Sequence, residues 1–182
     1  VPLHVDRQGV LWIGTSAGLV RYKDGAFTRA ARAAEPDAHA ITRMVENRAG
    51  GLWAWAQEID GPLYEIRDGR LVTPDPQSGL PSRVSAIAAD PGGDMWVATA
   101  DRQLLRVHEG HAIAALTGDA IPGGVTALYV ARDSVVWVGT QRGFGRLQHG
   151  RFEFRHLGVG GLDGYVSAFA EDAAGDVWFG TV

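Results

Sequence analysis

At 182 residues, 46% hydrophobic and 21% charged, the chain has the balance of a folded globular protein and too many apolar residues for a disordered one. A net charge of −4, with Lys and Arg only scattered, excludes the basic footprint of a nucleic-acid-binding surface and a polybasic membrane patch. The absence of cysteine excludes disulfides and thiolate chemistry.

In chain order, the first predicted element is a short strand, LHV. It leads through a turn from Asp6 to Gly9 into a second strand, LWIGT, centred on Trp12. TSAG turns the chain into a third strand, LVRYKDG, which closes on Gly25, and AFTRA is the fourth. The same order then returns. An inner strand after Thr42 passes through Asn47 and Gly50 to Trp53, LYEIRDG closes on Gly69, and RLVTP follows. Ser85 opens a third period, with Asp90, Gly93 and Trp96, then LLRVHEG to Gly110 and HAIAAL. Thr126 opens a fourth, with Ala131, Ser134 and Trp137, then FGRLQHG to Gly150 and RFEFRHL. A fifth holds Ser167, Asp172, Gly175 and Trp178.

The five marker tryptophans are spaced by 41, 43, 41 and 41 residues. Nine residues before each stands a large apolar side chain: Leu3, Met44, Ile87, Leu128 and Phe169. Asx at the start of the turn and Gly three residues before Trp mark a tight turn that needs positive φ. Repeats therefore run over 1–38, 39–81, 82–122, 123–163 and 164–182. Four short β-rich strands per period, with no helical apolar spacing, predict an all-β fold: a β-propeller of four-stranded antiparallel blades. About four and a half blades are present. The adopted reading is a segment of a larger propeller; the alternative is that another chain covers the open edges. The chain begins at Val1 and contains neither a signal peptide nor an apolar run of bilayer-spanning length, so any targeting segment or anchor is expected outside it.

The phrases GLPSRVSAIAADPGGDMWVAT at 79–99 and VDRQGVLWIGTSAGLVRYKDGAF at 5–27 resemble the two-component regulator propeller repeat. The resemblance runs through every period, with departures at ARDSVVW in the fourth and WAWA in the second. It implies a non-enzymatic input domain on the periplasmic or extracellular side of a bacterial inner-membrane protein, a hybrid histidine kinase or a diguanylate cyclase. Membrane attachment would come through segments outside this chain. The partners expected are a small ligand, a carbohydrate among the candidates, and a second copy in a homodimer, with no nucleic acid. A protein-interaction scaffold is the second reading. A streptogramin-lyase-like enzyme is the third, although the GL-x-RY phrase is foreign to lyases.

No catalytic set suggests itself. Of six histidines, His108 and His111 flank Glu109 in HEGH, but the stretch lacks the i, i+4 spacing of a helical zinc site, and His149 occupies the equivalent turn one period on. No metal or cofactor is expected. Ligand-binding residues are expected on the loops between second and third strands and between blades. The second blade is the outlier: Trp55 replaces the small residue two after Trp (Gly14, Ala98, Gly139, Gly180), Arg43 replaces Ala86, Ala127 and Ala168, and the loop after it is longest. These departures propose Trp55 as an exposed apolar platform, Glu58 and Asp60 as its rim, and Arg43 as their counter-charge; the alternative is that Trp55 only fills the space left by Ala54 and Ala56, with Arg43 pairing Glu58. Arg83, Asp101, Arg102, Gln141, Arg142 and Tyr165 lie on the same predicted face.

Overall fold

The computed structural model describes residues 2–32, 40–47, 50–56, 61–158 and 165–182. The fold is all-β, with three-residue 3-10 turns among the described residues at Pro76–Ser78 and Gly118–Ala120. Two compact units divide it, residues 1–84 and 85–182. No helix among the described residues is long and apolar enough to cross a membrane.

In the first unit, β1 (Leu3–Val5), β2 (Leu11–Thr15), β3 (Gly18–Lys23) and β4 (Ala26–Arg29) form one antiparallel blade in sequence order. The second blade runs β6 (Arg43–Glu46), β7 (Leu52–Trp55), β8 (Gly61–Arg67) and β9 (Arg70–Val72). Two short strands extend it. β5 (Ala31–Arg32) pairs parallel with β9, and β10 (Arg83–Val84) pairs antiparallel with the start of β8.

In the second unit, β11 (Ala86–Ala89), β12 (Met95–Ala98), β13 (Leu104–His108) and β14 (His111–Leu116) form the third blade. The fourth consists of β15 (Val125–Val130), β16 (Val136–Thr140), β17 (Gly143–Gln148) and β18 (Arg151–His156). β19 (Val166–Glu171) and β20 (Val177–Thr181) begin a fifth.

The turns follow from residue chemistry. Each third-to-fourth strand connection is two residues with positive φ: Asp24–Gly25, Asp68–Gly69, Glu109–Gly110 and His149–Gly150. This is the type I′ geometry whose twist matches a hairpin. Three residues before each marker Trp the backbone also has positive φ, at Gly9, Gly50, Gly93, Ser134 and Gly175. Ser134 keeps that conformation without glycine. In β2, β7, β12 and β16 the residue before Trp pairs with Tyr22, Ile66, Val107 and Leu147, the positions that the sequence aligns.

Aspartate six residues before Trp does more than start a turn. Asp6 accepts the Trp12 indole N–H at 2.7 Å and the Val10 and Gln8 amides at 2.9 Å each. Asp90 and Asp172 accept the indoles of Trp96 and Trp178 at 3.4 and 2.9 Å. Where the second and fourth blades carry Asn47 and Ala131, the buried indole nitrogens of Trp53 and Trp137 have no partner among the described residues.

Of the five marker tryptophans, Trp12, Trp53 and Trp96 are buried. Trp137 is half-buried. Trp178 is 65% exposed, because its blade here consists of β19 and β20 alone. A further repeat position, twelve residues before Trp, is buried throughout: Ile41, Val84, Val125 and Val166. It explains the small residue two after Trp. A Cβ on Gly14 would lie 2.4 Å from the Ile41 carbonyl oxygen, and one on Gly139 would lie 2.8 Å from Val166 Cγ1.

In each unit one pair of adjacent blades, the first with the second and the fourth with the fifth, is also joined by a carboxylate clamp. Glu46 of β6 sits 3.2 Å from His4 Nε2 of β1, and it takes the Arg7 amide at 3.4 Å. Glu171 of β19 repeats this with the Tyr129 hydroxyl at 3.2 Å and the Arg132 amide at 3.0 Å. Both residues are half-buried, with the arginine guanidiniums nearby at 3.8 and 3.6 Å.

Candidate functional site

The third and fourth blades have no such clamp, since Ala88 and Val130 occupy the corresponding positions. Between these blades lies an open groove of about 610 Å³. It sits at the hairpin-turn end of the strands, bordered by the β11–β12 and β15–β16 turns and by the ends of β13 and β17. The floor is apolar: Trp96, Val136 and Leu147, all buried. Ile113 of β14, an exposed apolar side chain, forms one side, followed by the small residues Ala114 and Ala115.

The polar wall is organised by Asp94. Two residues before Trp, the first and fourth blades bury Val10 and Val135. The third buries this carboxylate instead, at 9% exposure. Asp94 Oδ2 accepts from Arg106 Nε at 2.5 Å, and Oδ1 bonds His108 Nδ1 at 2.7 Å. Burial alone pushes the Asp94 carboxyl up, but the bonds from His108 and Arg106 and their charges outweigh it and hold the group below its ordinary value. The same bond raises His108. Asp90, also buried, accepts the Gly92 amide at 2.6 Å and the Trp96 indole. Ser134 and His149 complete the far wall from the fourth blade.

His108 and His111 face each other across their hairpin, and His108 turns to Asp94. Among the described residues no three His, Asp or Glu side chains gather as a metal site.

The sequence-predicted residues lie elsewhere. In the first unit, Arg43 and Trp55 are directly opposite each other in the β6–β7 register, so the two departures of the second blade are one cross-strand pair. The exposed platform expected at Trp55 is corrected by its burial, at 4% exposure, while Arg43 is exposed. A large side chain cannot occupy the space that Gly14 leaves beside Ile41. Accordingly, the strand entering after the second blade bonds to β8, through the Leu63 amide and the Ser82 carbonyl, whereas Ile41 bonds to Thr15 at the end of β2. Glu58 and Asp60 lie outside the described residues. Arg83 is exposed on β10, opposite Pro62.

In the second unit, Asp101 bonds Thr99 and Gln103, and Arg102 pairs with Asp119 at 3.2 Å. Gln141 and Arg142 turn β16 into β17, and the Arg142 side chain lies beside Gly123. Tyr165 is exposed just before β19. The groove is at the opposite end of these blades, and sequence reasoning passed over it. One signal was available: a charged residue, Asp94, at a repeat position that two other blades fill with valine.

The geometry defines tandem antiparallel blades of a partial β-propeller, and comparison with known proteins places it further. The family model described as "Two component regulator propeller" matches residues 160–182, so the fifth period carries that repeat. No curated protein matches the sequence. Among solved structures, the fold is similar to the extracellular domains of two Bacteroides thetaiotaomicron proteins assigned as hybrid two component systems. For BT3049 the TM-score is 0.73 at 14% identity over 97% of this chain, and for BT4673 it is 0.73 at 20% over 99%. The chain spans 25% of the length of each. It is also similar to virginiamycin B lyase from Staphylococcus aureus, solved with quinupristin, at TM-score 0.72 and 17% identity, over 97% of this chain and 61% of the lyase.

Proposed function

We propose that this chain forms part of the extracytoplasmic input region of a two-component signalling protein and binds a small ligand there. The observation that carries the reading is the two-component regulator propeller repeat at 160–182. It is supported by the likeness of nearly the whole chain to extracellular domains of hybrid systems. Rigid blades suit this role, because each holds its connecting loops in fixed positions while the ligand changes how blades pack. The change would then pass to a membrane helix and a kinase or cyclase outside this chain.

The test is one of topology. Alkaline phosphatase and green fluorescent protein are fused in turn after residue 182 of the protein expressed from its own gene. Active phosphatase and a dark fluorescent fusion are expected; the reverse pattern overturns the reading. A lyase-like activity is the second reading, favoured by the fold likeness to virginiamycin B lyase. Turnover of quinupristin by the purified protein would establish it.

A further inference from the structure

We propose that the groove between the third and fourth blades binds a small organic anion, a carboxylate carried on an aromatic or aliphatic body. The inference deepens the sensor reading by naming a ligand class, and it rests on that reading only for its biological role.

The hydrogen-bond donors left unused in the groove carry the argument. Its two buried carboxylates already hold partners on every oxygen: Asp94 has Arg106 and His108, and Asp90 has Gly92 and Trp96. Alongside these carboxylates the groove offers donors that are not used up. Arg106 is held through Nε alone, so its two terminal nitrogens have no partner among the described residues, and the Asp94 bond fixes the plane of the fork. A guanidinium so fixed is preorganised for two parallel bonds to a carboxylate. His108 is fixed through Nδ1, which leaves Nε2 outward, and His149 stands on the opposite wall. Beneath these donors the floor is hydrocarbon and indole, and exposed Ile113 offers apolar surface to a ligand's body. An inorganic anion would use only the polar half of such a groove. An anion there would join blades three and four at the interface where Ala88 and Val130 cannot form the carboxylate clamp.

Calorimetric titration of the protein with phenylacetate and hexanoate tests this, with phenylethanol, glucose and sodium sulfate as comparisons. The two carboxylates are expected to bind, and the neutral compounds and sulfate are not. Arg106→Gln should weaken phenylacetate by about tenfold or more. His149→Ala should weaken it as well, and Ala115→Trp should block the groove. Silence toward both carboxylates, equal binding of sulfate or phenylethanol, or unchanged affinity in Arg106→Gln and His149→Ala overturns the proposal. If Arg106→Gln does not fold, His149→Ala and Ala115→Trp decide it. Titration reads the groove and the fusions read the topology, so either can fail alone.

Discussion

Trp137 keeps its indole nitrogen in the interior with no acceptor among the described residues, whereas Trp12, Trp96 and Trp178 each donate to an aspartate six residues earlier. An unmet buried donor costs more than a made bond gains. Ala131→Asp combined with Ser134→Gly restores the fourth blade to the repeat and should stabilise it by about 1 kcal/mol, measured by urea unfolding. Asp6→Ala removes three bonds at once and should destabilise by about 2 kcal/mol. The pH dependence has a definite sign. Burial pushes the Asp6 carboxyl up, but the bonds from Trp12, Val10 and Gln8 and the nearby His4 outweigh it, and the group lies below its ordinary 3.8. A depressed carboxyl contributes stability that is present above 3.8 and lost as the pH falls through the lower folded value. The melting temperature of the wild type should therefore drop more steeply below about pH 4 than that of Asp6→Asn.

Between elements, the repeated clamps make a prediction that a sequence ruler does not. Glu46→Ala removes the carboxylate that bonds His4 and the Arg7 amide and should cost about 1 kcal/mol, as should Tyr129→Phe at the Glu171 clamp. Equal melting of either variant and wild type would show the clamp to be incidental. Strands, turns and registers were legible because they repeat at one spacing: the Asp–Trp bond spans six residues, and the small residue two after Trp is set by the next buried Ile or Val. The clamps join residues 39 and 42 apart, in two places among the described residues, so no single period displays them. Trp55 was legible as a departure but not as a buried one. Its environment depends on Arg43 lying opposite it and on β10 being held at β8, which are pairings rather than compositions.

At the scale of the molecule, each unit has its own core. Trp12, Leu19, Ile41, Ala54 and Leu71 centre the first; Trp96, Leu104, Ile121, Val136 and Leu147 centre the second. Stability in such arrays is approximately a sum of local terms. Trp96→Ala should cost about 3 to 5 kcal/mol, and amide hydrogen exchange should speed first within residues 85–182. Acceleration spread evenly over both units would show that they open as one. The groove escaped the sequence reading because a blade-by-blade alignment superposes equivalent positions, while a valley between blades is lined by positions that are not equivalent.

The four two-residue hairpin turns also bear on the order in which the chain folds. Each joins strands separated by almost no loop, so its closure is fast and independent of its neighbours, on the order of microseconds. β5 instead meets β9 through Ala31 and Arg70, with most of a blade between them. In pulse-labelling during refolding, the β3–β4, β8–β9, β13–β14 and β17–β18 hairpins should gain protection early, and the parallel β5–β9 pair late. The molecule would thus assemble from its turns inward, each blade seeded by a Gly-closed corner before any blade finds the next.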